Sequence, residues 1–402
     1  MNLPVLAWRY LWSRPLQAAL NLLLLALGLA TSSFLLLAQA QIERGFERDL
    51  AGIDAVVGAK GSPLQLILAG VFHIDVAPGN VDLKAVQALR AHPQVAQVMA
   101  LSLGDAYQGY RIVGSEAEYL AHYGARMAQG RVWQEPMQAV LGAQVAAATR
   151  LPLGSRFAGS HGLAQGGTDH DEAYEVVGLL APCACVLDRL VLTAHESVWQ
   201  VHEPHAGAAS AAKADAPTQE PRREVTVALV RYRTPLAAAS FPRHVNSSTA
   251  MQAAAPAIEL SRLFRMLGVG SAVLQGFGLV LLLSAALSVF VALWNAVRER
   301  QADLAMLRML GAPPARVAGL VLCEALWLAA LGCVLGLALG HGLAAAVGYG
   351  LEAQRSVPIS GWAWAPGETW LPLGTALLAL VAAGLPALAA YRVDVSQLLE
   401  TR

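Results

Sequence analysis

Arg298-Glu-Arg-Gln-Ala-Asp-Leu-Ala-Met-Leu-Arg308-Met-Leu-Gly-Ala-Pro-Pro-Ala-Arg316 lies between two long apolar runs, and its reading decides the fold. A helix too polar to enter lipid, yet tethered at both ends to membrane segments, has to lie at a membrane face. Leu304, Met306, Leu307 and Leu310 gather on one side of such a helix, Arg300, Asp303 and Arg308 lie elsewhere, and Gly311 with Pro313-Pro314 stops it before the next run begins. An apolar stripe with charged margins suits docking to a soluble partner. The alternative left by the residues alone is a surface-lying connector whose arginines reach into lipid headgroups.

The flanking sequence supports the membrane reading. The chain is 56% hydrophobic and only 14% charged, with a mean hydropathy of +0.47, whereas soluble domains carry about 25% charged residues. Four segments are apolar over the roughly 20 residues that a bilayer requires: Leu16 to Ala38, Met266 to Trp294, Val317 to about Ala346, and Leu371 to Ala390. Arg9 and Arg14 precede the first, Arg298, Arg300, Arg308 and Arg316 separate the second from the third, and Arg392 and Arg402 follow the fourth. The positive-inside tendency makes those ends cytoplasmic and the region from Gln41 to Arg265 external. A formal net charge of +0 and the lack of a basic patch interleaved with aromatics give no reason to expect a nucleic-acid partner.

A cleaved signal peptide is the alternative for the first run, because Ala38-Gln39-Ala40 has small-x-small spacing. The uncharged stretch from Pro15 to Ala40 exceeds a 7–15 residue signal core, and Asn21, Thr31, Ser32 and Ser33 suit a packed helix. A retained first helix is therefore expected. The predicted organisation is a polytopic α-helical membrane protein with four transmembrane helices and a large α+β extracytoplasmic domain inserted between helices 1 and 2. In order these are a cytoplasmic segment over 1–15, helices over 16–40 and 266–297, a coupling segment over 298–316, a helix over 317–348, an outer loop over 349–370, a helix over 371–391 and a cytoplasmic tail over 392–402. Within 41–265, Val81 to Leu89 has helical spacing, and Val95 to Met99, Tyr110 to Val113, Ala139 to Leu141, Tyr174 to Leu180 and Val225 to Val230 read as strands. Ala206 to Pro221, rich in Ala, reads as a flexible excursion.

One membrane helix, a large outer domain and three closing helices together resemble the FtsX-like/MacB-like permease family of ABC transporters. The resemblance rests on the Arg298 to Ala312 segment, on Glu324, on Gly384-Leu-Pro386-Ala-Leu-Ala-Ala-Tyr-Arg392 and on Asp394-Val-Ser-Gln-Leu-Leu399. In the outer region it rests on Gly130-Arg131, Ala139-Val-Leu-Gly142, Leu151-Pro-Leu-Gly-Ser155 and Tyr174-Glu-Val-Val-Gly178. It implies a permease subunit in the bacterial inner membrane, with cytoplasmic termini and a periplasmic core domain. The same resemblance implies an ABC ATP-binding subunit as partner, a permease homodimer, contact with membrane lipids and a periplasmic or lipoprotein partner. Arg298, Arg300, Asp303, Leu304, Leu307, Arg308, Leu310 and Gly311 would then dock into a groove of the ATPase, and helix movement would be passed to the outer domain by mechanotransmission. Export or extracytoplasmic handling of a substrate follows. The alternatives are an FtsX-like signalling subunit that regulates an extracytoplasmic enzyme or binding protein, or a zinc-linked periplasmic binding function through the histidine-rich region.

No Gly-x-x-x-x-Gly-Lys-Ser/Thr phosphate loop is present, so ATP is expected on the partner and no cofactor or catalytic residue on this chain. Val56-Val-Gly-Ala-Lys60-Gly-Ser62 has the wrong glycine spacing and reads as a close turn. Glu324 is the costliest residue in the spans; it either reaches back to the cytoplasmic interface or makes a bundle contact that orients the third helix against the coupling segment. Paired charges within the spans, expected of an ion-conducting transporter, are not evident, and Gly332, Gly336 and Gly340 have the spacing of close helix packing. His341 carries no expectation beyond the outer end of its span.

His161, His170, His195, His202 and His205 are half of the chain's 10 histidines and have acidic neighbours. Imidazole and carboxylate suit Zn²⁺. A weak, exchangeable Zn²⁺ site is one reading; a solvated polar loop is the other, because the spacing matches no helical ligand motif. Cys183-Ala-Cys185 is read first as buried thiols, with a labile disulfide or soft metal ligands as alternatives.

Overall fold

Proline opens a helix readily and continues one poorly, and Pro15 separates a short helix, Leu3–Leu11, from a long one, Pro15–Leu50. The computed structural model describes residues 2–161, 169–202, 223–353 and 359–393. The chain divides into two units, Met1–Glu43 with Met266–Arg402, and Arg44–Arg265.

The first unit is a helical bundle. After Pro15–Leu50 come Pro256–Glu299, a short helix Gln301–Met309, Pro314–Ala353, a 3₁₀ turn Pro366–Trp370 and Leu371–Tyr391. Among the described residues four stretches are long and apolar enough to cross a membrane: Pro15–Leu50, Ala272–Glu299, Pro314–Leu351 and Pro366–Tyr391. The interior is built from small and branched residues, among them Ala18, Leu22, Leu25, Ala285, Val289, Val321, Ala325, Ala383 and Ala387. Phe277, Leu283, Leu287, Leu373, Leu377 and Val381 point outward, as side chains solvated by lipid do. Gly332, Gly336 and Gly340 face Leu25, Leu29 and Ser33 of the first long helix, so the expected close packing has an identified opposite wall.

Sequence expectations understated the ends of these helices. The first long helix continues past its apolar run through Glu43, Arg44 and Glu47, and the second starts at Pro256 rather than at residue 266. Residues 1–15 contain the helix Leu3–Leu11, which places Ala7 and Leu11, one helical turn apart, in the bundle interior.

The second unit is a mixed sheet flanked by helices. Its strands are β1 (Ala55–Ala59), β2 (Val81–Asp82), β3 (Val95–Tyr107), β4 (Tyr110–Ser115), β5 (Met127–Gly130), β6 (Gln138–Leu141), β7 (Arg156–His161), β8 (Asp169–Leu180), β9 (Val191–Thr193), β10 (Glu224–Val225), β11 (Val227–Tyr232) and β12 (Met251–Ala254). The main sheet runs β12-β1-β11-β3-β4-β9-β6-β8-β5, with β7 bridging β3 and β8, while β2 and β10 pair separately. Alternation assigns the two faces. Val56, Met99, Leu101, Val113, Val227 and Leu229 pack on one side with the helix Pro63–Gly70. Ala55, Val57, Val98, Ala100, Ala228 and Val230 pack on the other with Leu83–Arg90 and Ala237–Ser248. Burial on both faces explains why these strands read as continuous apolar runs rather than as alternating ones.

Of residues 56–62, read as a close turn, 56–59 belong to strand β1, Lys60 and Gly61 form a bend, and Ser62 caps the next helix. Val56 and Val57 are fully buried, and the Ser62 side chain accepts a hydrogen bond from the Gln65 backbone N–H as a helix cap. Cys183 and Cys185 are joined in a disulfide rather than left as buried thiols, with their Cα atoms 5.1 Å apart, inside the normal range for such a bridge. Ala184 between them takes a left-handed φ of 54°, and the Asp188 carboxylate accepts hydrogen bonds from the backbone N–H groups of Cys183 and Ala184. The excursion expected over 206–221 and the tail from residue 394 lie outside the described residues.

Candidate functional site

The coupling segment is a helix of nine residues, Gln301–Met309, and its end is built by local rules. Gly311 has φ +94°; its N–H donates to the Arg308 carbonyl at 3.0 Å, and the Ala312 N–H donates to the Leu307 carbonyl at 3.1 Å. That pair of bonds is a Schellman stop, which glycine adopts without a Cβ penalty. Pro314 then opens the next helix.

The single exposed apolar stripe expected for this helix is divided between two faces. Leu304 is 3% exposed and Leu307 packs beside it against the bundle, whereas Met306, Met309 and Leu310 are exposed by 55%, 58% and 81%. The reason is the helix's own amphipathicity in a fold that supplies an interior: the deepest residues complete the bundle, and the flank that remains outside carries the two methionines and Leu310. Arg298, Asp303 and Gly311 are exposed around that flank, and Arg308 is half-buried, donating to the Val393 carbonyl.

Arg300 organises this end of the bundle. Its guanidinium stands 3.4 Å from the Glu324 carboxylate, donates to the Tyr10 carbonyl at 3.1 Å and to Ser13 Oγ at 2.7 Å, and lies 4.5 Å from the Tyr10 ring centre. Glu324 is buried, and the Arg300 side chain is 14% exposed. Glu324 therefore meets a bundle cation, and a third element, the N-terminal helix, is bound to the same group. Trp8 and Trp327 pack edge to face with centres 5.0 Å apart, and the Trp327 indole N–H donates to the Pro4 carbonyl at 3.1 Å. Arg14 pairs with Glu299. The short N-terminal helix was not anticipated; the signal for it was Ala7 and Leu11 on one face, followed by Pro15.

Polar side chains of the spans find partners from distant positions outside the spans as read from sequence, Glu324 with Arg300 being the first. At the other end of the third long helix, His341 Nε2 lies 3.2 Å from Glu368 Oε1, and His341 Nδ1 bonds the Gly361 carbonyl at 2.7 Å. Ser33 Oγ donates to the same Glu368 oxygen, and the Ala365 N–H donates to Glu368 Oε2 at 2.9 Å. Glu368 is fully buried. It joins the first helix, the third helix and the loop before the fourth, a role that no local pattern indicated.

The histidines do not converge on one point where their side chains are described. His195 and His202 begin and end one short helix, His195–His202. His195 shares a hydrogen bond with Ser102 Oγ at 2.8 Å; burial disfavours its cation and lowers its pKa below the usual 6.5. His202 bonds the Val198 carbonyl at 2.8 Å and stands 3.5 Å from Asp105, whose hydrogen bond raises its pKa. His161 and His170 belong to β7 and β8, and His205 lies outside the described residues. Among the described residues no group of three or more His, Cys, Asp or Glu side chains is arranged to hold a metal.

These opposite shifts give a pH test. A histidine with a lowered folded pKa stabilises the fold above the unfolded value of about 6.5 and loses that contribution as pH falls; one with a raised pKa does the reverse. His195→Gln is expected to flatten the loss of stability on the acid side of pH 6.5, and His202→Gln to remove a contribution that is lost as pH rises above it. Thermal melts of the full chain between pH 5 and 8 check both signs.

Comparison with known proteins completes the picture. Residues 276–394 match the model of the FtsX-like permease C-terminal family. A comparison with curated proteins found no match. Among solved structures, the periplasmic region of MacB from Actinobacillus actinomycetemcomitans is similar at 12% identity and a TM-score of 0.34, over 53% of this chain and 95% of that one. The extracellular domain of the noncanonic ABC-type transporter YknZ from Gram-positive bacteria is similar at 14% identity and a TM-score of 0.31, over 50% of this chain and 98% of that one. The helical part that holds Arg300, Glu324 and the Gln301–Met309 helix is thus the part of the chain that is similar to the FtsX-like permease family.

Proposed function

We propose that this chain is the membrane subunit of an ABC transporter complex and takes up movement from a separate ATP-binding subunit through the helix Gln301–Met309. The observation that carries the reading is an exposed apolar flank, Met306, Met309 and Leu310, on a helix whose opposite side is fixed to the bundle. Leu304 is buried and Arg300 is tied to Glu324, Tyr10 and Ser13. Among the described residues this flank is left exposed, and its base transmits displacement rather than absorbing it.

The arginine-bearing end is cytoplasmic by the positive-inside tendency, in the inner membrane, and the sheet unit is periplasmic. Two long helices, Pro15–Leu50 and Pro256–Glu299, contribute residues to both units, which supports mechanotransmission to the outer domain in export or extracytoplasmic handling of a substrate. The permease acts as a homodimer, and ATP is hydrolysed on the partner.

The test is recovery of the ATP-binding subunit with the tagged chain from native membranes, identified by mass spectrometry. Met306→Asp with Leu310→Asp is expected to reduce recovery at least about tenfold, because a buried interface carboxylate without a partner costs more than about 1.4 kcal/mol. Both residues are exposed in this chain, so the melting temperature should be unchanged. Full recovery of the ATPase with the double variant would refute docking through this flank.

A further inference from the structure

We propose that Arg111 and the loop Val76–Asn80 form a binding site for a small aliphatic carboxylate in the sheet unit. Arg111 lies on β4, whose six residues are all buried, and is itself only 6% exposed. It lines a cavity of about 200 Å³ together with Val76, Ala77, Asn80, Leu103 and Thr226.

A buried guanidinium is normally paired, because removing a cation from water costs several kcal/mol. Two less deeply placed arginines obey this: Arg300 faces Glu324, and Arg189 stands 3.6 Å from Asp49. Arg111 differs. Among the described residues its Nε has no hydrogen-bond partner and no carboxylate forms an ion pair with it. Thr226 Oγ1 is already engaged with the backbone of Leu103. Burial pushes the Arg111 pKa down to about 10, with the charge of Asp75 acting in the opposite direction, so the group stays cationic at neutral pH. A fold that keeps a desolvated cation at a cavity wall has left its counter-charge to be supplied from outside.

The cavity also selects the ligand. Guanidinium offers two parallel N–H donors that match a carboxylate or phosphate. One cation, with Asp75 close enough to act on it, suits a single negative charge better than two. Val76, Ala77, Leu103 and the Thr226 methyl give an apolar wall for a short carbon chain, and the volume admits a group of that size. The carboxylate has two sources, a fatty acid or the terminus of a peptide. This inference does not depend on the coupling role of Gln301–Met309.

The experiment is thermal melting of the full chain in lipid nanodiscs with hexanoate, N-acetylalanine or inorganic phosphate. Hexanoate or N-acetylalanine should raise the melting temperature saturably, with half-saturation on the order of 1 mM for so few ligand atoms; the stronger of the two identifies the source. Arg111→Met should melt higher than the wild type without ligand and show no response to either carboxylate. Val76→Trp, a change at an exposed lining residue, fills the cavity while leaving Arg111 in place and should abolish the response as well. If Arg111→Met does not fold, Val76→Trp decides alone. A wild-type chain that ignores both carboxylates, a response kept in Val76→Trp, or an equal response to phosphate would overturn the assignment.

Discussion

Arg300→Met is expected to destabilise the bundle by about 3–5 kcal/mol, the usual cost of stripping one partner from a buried ion pair, and Glu324→Gln by less. The asymmetry follows from the contacts. Losing Arg300 removes the pair with Glu324 at 3.4 Å, the bond to the Tyr10 carbonyl, the bond to Ser13 Oγ and the packing on the Tyr10 ring. Losing the Glu324 charge leaves Arg300 with two oxygen acceptors and an aromatic face. A double-mutant cycle should give a coupling of about 1–3 kcal/mol for groups this close. Unfolding of the detergent-solubilised chain measures all three variants, and strictly additive effects would show that the pair is incidental.

The same substitution should loosen the N-terminal helix specifically. Leu3–Leu11 is attached to the bundle through Ala7 and Leu11, through Trp8 against Trp327, and through the Arg300 bonds at its end. Removing the last of these leaves the segment Trp12 to Pro15 with the Arg14–Glu299 pair as its remaining polar anchor. Limited proteolysis should then cut there in Arg300→Met before it cuts in the wild type. An arginine that begins the coupling helix and also holds the N-terminal helix makes displacement of one a displacement of the other.

The parts of this architecture that were legible in the sequence are those fixed by local composition. Apolar runs of bilayer length marked the four spans, and Gly311 with Pro313-Pro314 marked the end of the coupling helix, where the φ of +94° at Gly311 and the two backbone bonds follow from residue type alone. Strands at Val95, Tyr110, Ala139 and Tyr174 were visible because β-branched and aromatic residues cluster there. What was not legible depends on pairing between separate elements. Glu368 meets Ser33, 335 positions away, as well as His341, and Arg300 reaches both Tyr10 and Glu324; no spacing rule encodes such contacts. Strand β1 was missed because Val56-Val-Gly-Ala is short and runs into Lys60-Gly61-Ser62, residues that do bend the chain, while pairing between β11 and β12 makes the residues before them a strand. The division of the coupling helix into a buried and an exposed apolar flank likewise depends on where the bundle lies, which a helical wheel does not contain.

Gly336→Leu is expected to prevent assembly of the native bundle, and Gly336→Ala to weaken it by about 1–3 kcal/mol, the range for overpacking a filled contact. A Cβ added at Gly336 would stand 2.5 Å from Leu29 Cβ and 3.1 Å from the Ala26 carbonyl oxygen. The second of these is backbone, so no change of rotamer relieves it, and the two helices have to move apart. In lipid that separation has no hydrophobic penalty to resist it, because the exposed surfaces are solvated by acyl chains; association depends on close packing itself. Gly342 on the same helix is the control: a Cβ there meets nothing within 4 Å, and Gly342→Ala should be neutral or slightly stabilising through helix propensity. Equal melting temperatures for the two alanine variants in detergent would show that the glycine stripe is a compositional accident rather than the contact surface. A lower value for Gly336→Ala alone, with Glu368 still bonded to Ser33 one helical turn beyond Leu29, would place the resistance to separation at the centre of the bundle, between the arginine cluster at one end and the buried carboxylate at the other.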